Sequence, residues 1–302
     1  IIPIAKELQK NGLLRAVTLS VQSLDETTLK IIKRENMKFK KFSELSTSFY
    51  ENGIPTYSEI IIGLPGETLQ SFKKGLEIIA SDTKIDTIQI YHCGVLPNAP
   101  MNDVSYIEEF NIKKIKSPLS SVHSKIEKNT IQEFEEIIVS TCSFDKSELK
   151  EMYLYSWTIQ TFHSLGILEY ICNFYQKQNN FSILDFYDLF LDFCRTQSSI
   201  FSQEFQIVLE FMNNGYLGKG WDHYDSSLGE IYWPIEEASW LRLTSNLPEL
   251  LNSINLFTSF INSKKNLNIS ENIINDLIKF QLFLLTTKDQ KEQTKSEKFN
   301  YD

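Results

Sequence analysis

An α/β fold, consisting of part of a (β/α) barrel followed by a mainly α-helical C-terminal domain, is the class the sequence predicts. Three observations carry it. Residues 15–21 (RAVTLSV) and 56–62 (TYSEIII) are short apolar runs rich in β-branched side chains, and each ends in polar or glycine-containing sequence. The residues between them have the spacing of helices, so strand, helix and strand follow in order. From about residue 130 onward the apolar spacing is helical almost throughout.

The first run passes directly into Gln22, Ser23 and Asp25, and the second into Gly63-Leu64-Pro65-Gly66-Glu67-Thr68. Near-continuous apolar runs fit strands buried on both faces of a parallel sheet. Between them, 25–33 and 41–52 read as helices with Leu29, Ile32, Phe42, Leu45 and Phe49 as apolar positions, stopped by Gly53 and Pro55. Thr68 is predicted to cap a helix running through Phe72, Leu76 and Ile79. Residues 86–91 (DTIQIY) make a third strand, closed by 94–98 (GVLPN). This β-α-β-α-β order, with right-handed crossovers expected, is about three-eighths of a closed barrel. The sheet edge before Arg15 is left without a partner. Ligands of parallel sheets sit at the C-terminal ends of strands, which directs attention to Gln22 and to the Gly63–Thr68 turn.

Residues 101–129, with Pro100 before them and Pro118 within, read as a long irregular connection. Helices are predicted over 133–140, 146–166, 168–178, 183–197 and 202–213, with enough Phe, Tyr and Ile for an aromatic-rich core. A loop with Gly215, Gly218 and Gly220 leads to Trp221, Trp233-Pro234 opens another helix, and 270–285 forms a last helix or a buried strand pair. The charged stretch 288–302 is expected to be a disordered tail. The expected domains are therefore 1–100, 101–129 as a connection, 130–287 and 288–302.

Composition narrows the function classes. A chain of 302 residues with 42% hydrophobic content can bury a sizeable core in two domains. A net charge of −9 argues against a nucleic-acid groove. No apolar run is long enough to span a membrane, and no signal peptide is recognisable. Cys93, Cys142, Cys172 and Cys194 are too scattered for a local metal motif or a disulfide framework, so a reducing cytoplasm is the expected location.

The segments Ser20-Val21-Gln22-Ser23, Leu29…Ile32-Lys33-Arg34, Gly53-Ile54-Pro55-Thr56 and Glu59-Ile60-Ile61-Ile62-Gly63-Leu64-Pro65-Gly66-Glu67-Thr68 resemble the later strands of a radical S-adenosylmethionine (SAM) enzyme. The branch most similar is the one with an N-terminal cobalamin-binding domain. The likeness continues through Val95-Leu96-Pro97-Asn98-Ala99-Pro100-Met101 and from Tyr153 to Gly166. It covers the shared barrel over about the first hundred residues and only a subfamily extension beyond. It implies SAM, a [4Fe–4S] cluster and cobalamin as cofactors. Yet the C-x3-C-x2-C cysteines that hold the cluster in that superfamily are not found here. The expectation is a C-terminal portion, inactive alone, whose cluster-bearing and cobalamin-binding half lies elsewhere in the same protein; a start on Ile1 rather than methionine points the same way.

By that resemblance, Gln22 and Ser20 reach the SAM ribose, Arg34 clamps its carboxylate, Ile61 and Gly63 let the adenine lie against the strand, and Leu96 and Pro97 shape its pocket. Each has a plainer alternative: a turn residue, a packed strand serine, a solvated helix-end cation, a buried strand or a tight turn. Glu67 is expected to cap the helix it opens. His163 is a candidate substrate-side acid or base, against the alternative of a satisfied core histidine. Cys142 is read as a small buried hydrophobe, the four tryptophans as core, with Trp221 a possible substrate entrance, and adjacent Glu236 and Glu237 as pointing in different directions.

The functional expectation is the SAM-binding and substrate-side portion of a cobalamin-dependent methyltransferase acting on an unactivated carbon of a small-molecule or lipid-like substrate. The alternatives are a radical SAM enzyme that cyclises or rearranges its substrate, and a non-catalytic helical interaction module on a barrel remnant.

Overall fold

The computed structural model describes residues 1–126 and 131–287. It is mixed α/β, with a small parallel sheet near the N-terminus and a helical C-terminal region. Helix α1 (Ile2–Lys10), unforeseen from the sequence, precedes strand β1 (Val17–Thr18); α2 (Glu26–Ile31) and α3 (Phe39–Glu51) then lead to β2 (Thr56–Ile62). Helix α4 (Leu69–Asp82) connects β2 to β3 (Thr87–His92), and the sheet order is β1-β2-β3 with both pairings parallel.

The first strand is shorter than the apolar run 15–21 suggests. Only Val17 and Thr18 pair continuously with Thr56 and Tyr57, and Gln22 rejoins the sheet opposite Ile60. Burial also differs from expectation. Thr56, Ser58, Ile60 and Ile62 are buried on one face of β2, whereas Tyr57, Glu59 and Ile61 are half-buried and Gln89 and Tyr91 of β3 are exposed. The alternation follows from the period of two along a strand with one covered face.

Local signals act as the sequence indicates around these strands. Asp25 caps α2, its Oδ1 accepting from the Thr28 N–H at 2.7 Å. Thr68 and Ser71 form a reciprocal capping box at the start of α4, satisfying two otherwise orphaned amides. Phe72, Leu76 and Ile79 are buried, as are Phe42 and Phe49 of α3.

Two segments depart from the sequence reading. The connection 101–129 contains a 3-10 turn (Pro100–Asn102), helix α5 (Val104–Glu109) and strand β4 (Lys113–Pro118). Residues 133–140, expected as a helix, instead supply β5 (Phe134–Ser140), antiparallel to β4. Three consecutive β-branched residues, Ile137-Ile138-Val139, favour the strand, and all three are buried. Strand β5 also extends the end of β3: Val95 N–H donates to Glu136 C=O at 2.7 Å, and Ile138 N–H to Cys93 C=O at 3.0 Å.

The helical region follows. Helix α6 (Lys146–Thr158) runs into a wider π-type turn (Ile159–Ser164), together matching the predicted 146–166 element. Helices α7 (Glu169–Asn179), α8 (Ile183–Thr196) and α9 (Ile200–Asn214) lie close to their predicted bounds. A second π-type turn (Gly215–Lys219), the short pair β6 (His223–Tyr224) and β7 (Tyr232–Trp233), and α10 (Ile235–Ser245) come next. The unforeseen α11 (Leu247–Lys264) precedes α12 (Glu271–Thr287), which settles 270–285 as helix; the expected tail 288–302 lies outside the described residues. Rings of Trp157, Phe162, Phe190, Phe201 and Phe205 pack with centroids 4.3–6.5 Å apart.

Gly215 is a position where packing opposes helix propensity. A Cβ there would lie 2.6–2.7 Å from three ring atoms of Trp221. Its φ of −57° is ordinary helix, so alanine is locally favoured by about 1 kcal/mol. Overpacking costs about 1–3 kcal/mol and outweighs that gain. Gly215→Ala is therefore expected to lower the urea midpoint and alter tryptophan fluorescence; an unchanged or raised midpoint would show that the ring shifts freely.

Candidate ligand cleft at the strand ends

A cleft of about 520 Å³ opens where β1 and β2 end, within the usual size of a small-molecule site. Gln22, Arg34 and Ile61 line it, together with Ile32, Lys33, Glu35, Leu64, Cys93, Gly94 and Met101.

Each wall has a local cause. Gln22 adopts φ 58°, a left-handed conformation uncommon for a side-chain-bearing residue. It is held there by Gln22 N–H to Glu59 C=O (3.0 Å) and Ile61 N–H to Gln22 C=O (2.9 Å). Such backbone outliers concentrate at ligand sites, because surrounding structure must over-determine them. Lys33 is also left-handed, at φ 53°, and Arg34 N–H bonds Leu29 C=O at 2.9 Å, closing α2. That termination turns Lys33, Arg34 and Glu35 toward the cleft. The opposite wall, Cys93 and Gly94, is fixed by the pairing with β5.

The lining joins apolar surface (Ile32, Ile61, Leu64, Met101) to an amide, two cations and a carboxylate. This donor set suits a small molecule with a flat apolar part and a carboxylate, since an arginine fork pairs with carboxylates bidentately. Cys93 is not a thiolate here: burial, followed by the nearby Glu67 carboxyl, pushes its thiol up to about 12.

Glu67 overturns its expected capping role. Thr68 and Ser71 cap α4, while Glu67 is buried, with Oε1 accepting from Ser23 Oγ at 2.7 Å and Oε2 without a hydrogen-bond partner among the described residues. Burial raises its carboxyl from 4.5 to about 8, against the lowering effect of Ser23 and with a small addition from Asp25. No local pattern signals this, because the residues around Thr68 look the same whichever of them does the capping.

The other candidates fall outside the cleft lining. Ser20 Oγ donates to Glu59 C=O at 3.4 Å. Gly63, at φ 88°, faces Leu149, Ile138 and Phe144, where its lack of a side chain admits the helical region. Leu96 is 70% exposed, and the Pro97 carbonyl accepts from Asn102 Nδ2 at 3.1 Å. His163 sits in the first π-type turn with Nδ1 3.1 Å from Tyr187 Oη, and burial lowers it to about 4. Cys142 is exposed, contrary to expectation. Trp221 is 8% exposed and packs on His92 with ring centroids 4.0 Å apart and the rings tilted by 36°, so it lies in the interior. Glu236 lies close enough to Tyr91 and Tyr153 to influence both, and burial raises it to about 7.

Sequence reasoning missed Ile32, Lys33, Glu35, Leu64, Cys93, Gly94 and Met101 as lining. The adjacency of Cys93-Gly94 to the end of β3 was the available signal for two of them. Among the described residues no group of three His, Cys, Asp or Glu side chains is placed to hold a metal ion, and these side chains do not form the donor set of an iron–sulfur cluster. No described helix is long and apolar enough to cross a membrane.

Fold and cleft together define a mixed α/β protein with a small parallel sheet and a cleft at that sheet's strand ends. No family model matches the chain. Two distant relatives do. The chain is 25% identical over 193 residues to the cobalamin-dependent radical SAM methyltransferase TokK of Streptomyces tokunonensis, covering 64% of this chain and 28% of that protein. It is also 25% identical over 188 residues to the 2-(S-pantetheinyl)-carbapenam-3-carboxylate methyltransferase of Streptantibioticus cattleyicolor, covering 62% of this chain and 28% of that protein. The matched region thus spans little more than a quarter of either relative.

Proposed function

We propose that this chain is the SAM-binding and substrate-side portion of a cobalamin-dependent radical SAM methyltransferase acting on an unactivated carbon of a small-molecule substrate. The observation that carries the reading is the strand-end cleft that joins Gln22, Arg34 and Ile61 on one ligand-sized surface. Both relatives are methyltransferases by name, which favours methyl transfer over cyclisation or rearrangement. In this reading the β1-β2-β3 sheet belongs to a (β/α) barrel, residues 1–100 are its later part, and the helical region covers the substrate side. The half-open sheet face with Tyr57, Glu59, Gln89 and Tyr91 is consistent with a barrel interior shared with an N-terminal half. That half would hold the [4Fe–4S] cluster and cobalamin.

SAM, when bound, supplies the radical-forming group in enzymes of this kind. The chain's own residues bind and orient it: Arg34 takes the carboxylate, Gln22 a polar edge of the nucleoside, and Ile61 with Leu64 its apolar face. Charge-assisted hydrogen bonds contribute about 1.5–3 kcal/mol, so Arg34→Ala in the full-length protein is expected to weaken SAM binding by about 10- to 150-fold. Equilibrium dialysis with labelled SAM, followed by anaerobic labelled-methyl transfer, tests this. Unaltered SAM affinity in Arg34→Ala would defeat the reading.

A further inference from the structure

A chain of side-chain bonds runs from the cleft into the interior. Arg34 Nε donates to Asn36 Oδ1 at 3.2 Å, and Asn36 Nδ2 donates to the Ser23 carbonyl at 2.7 Å. Ser23 in turn donates through Oγ to Glu67 Oε1 at 2.7 Å, and its Oγ accepts from the Asp25 N–H at 3.1 Å. Ser23 is 1% exposed and Glu67 2%, so this end of the chain is embedded in the interior. Arg34, at the other end, lines the cleft, and among the described residues its two terminal nitrogens make no hydrogen bond.

We infer that Asn36 is a positioning residue of the cleft, holding the Arg34 guanidinium by its Nε edge so that the two terminal nitrogens are presented to a ligand carboxylate. An unrestrained arginine loses rotamer freedom when it binds, and that cost falls on the ligand's affinity. Here the amide of Asn36 fixes the plane of the fork while the protein folds. One end of the amide accepts from arginine and the other donates to the Ser23 carbonyl, a division of labour that an ionised carboxylate, which has no donor, cannot reproduce. The sequence K-R-E-N places Asn36 two residues beyond Arg34, within reach because Lys33 is left-handed and the chain turns back toward Ser23.

The inference rests on the proposed reading of the cleft as a carboxylate-bearing SAM site, and the test separates the two. In the full-length protein, affinities for SAM and for decarboxylated SAM, which lacks only the carboxylate, are measured for the wild type, Arg34→Ala and Asn36→Ala. Arg34→Ala is expected to abolish the preference for SAM. Freeing one rotamer-rich side chain corresponds to about a 2- to 12-fold loss, so Asn36→Ala is expected to reduce the preference by about that factor, leaving decarboxylated SAM affinity unchanged. A lost preference in Arg34→Ala with an intact one in Asn36→Ala overturns the positioning role alone. Equal weakening of both ligands in Asn36→Ala also overturns it, as a merely structural contribution. An intact preference in Arg34→Ala overturns the site reading and the inference with it. Should Asn36→Ala fail to fold, Asn36→Gln, with the amide displaced by one methylene, is read by the same ratio.

Discussion

Glu67→Gln is expected to flatten the pH dependence of stability between pH 5 and 7.5. The Glu67 carboxyl is raised from 4.5 to about 8 in the folded protein, chiefly by burial. Below the lower value both folded and unfolded chains are protonated, and the group has no effect. As pH rises, the unfolded chain ionises first, while the folded one must hold its proton or expose a buried charge. Stability therefore falls with pH through this window and levels off above the folded value. Integrated from pH 5 to 7.5, the loss is on the order of 3 kcal/mol. Glutamine preserves the acceptor for Ser23 and has no proton to lose. In urea titrations at the two pH values, the stability difference between variant and wild type should grow by about that amount toward pH 7.5. A constant difference would mean that Glu67 titrates normally and that the buried side chain is more accessible than its surroundings indicate.

The second large effect is expected at Glu204. Its carboxylate is nearly buried and receives Arg242 through both oxygens, with the Ser239 hydroxyl at 2.8 Å, which itself accepts from Trp157 Nε1 at 2.9 Å. Arg242 continues to Asp225 at 3.0 Å and His223 at 2.9 Å. This thread ties α6, α9, α10 and the β6 loop through an otherwise aromatic layer. Removing one partner of a buried pair costs about 3–5 kcal/mol, because the remaining charge is stranded. Glu204→Ala is expected near the lower end, since Arg242 keeps Asp225. Replacing both, as Glu204→Leu with Arg242→Met, should recover much of the loss. A loss below about 1 kcal/mol in the single variant would show the pair to be solvent-compensated.

Much of this was legible in the sequence, and the rest failed for identifiable reasons. The parallel strands, their helices and the cap at Thr68 follow from local patterns, which act over a few residues. The cleft members Gln22, Arg34 and Ile61 were singled out through the family resemblance, with the strand-end position of Gln22 as the local feature beside it. Glu67 was misread because its burial depends on Ser23, far away in sequence. Strand β5 was misread because the apolar positions of 133–140 fit either period over so short a run. Asn36 was invisible because its second partner, the Ser23 carbonyl, lies 13 residues back in the chain and meets it only in the fold. Leu96 and Pro97 follow the right strand but fall between Gly94 and Met101, which line the cleft, without lining it themselves.

The pairing of β5 with the end of β3 has a bearing on how the chain assembles. The wall at Cys93 and Gly94 is completed by amides and carbonyls of Glu136 and Ile138, so it exists only after a long loop has closed. Non-local closures of this kind form late, after the local helices and the first parallel pairing are in place. A polypeptide cut at residue 100 would thus keep its three strands and Arg34 yet lack one side of the cleft. The cleft is framed in full only once β5 has docked, and so the boundary between the two halves of the chain runs along the cleft itself.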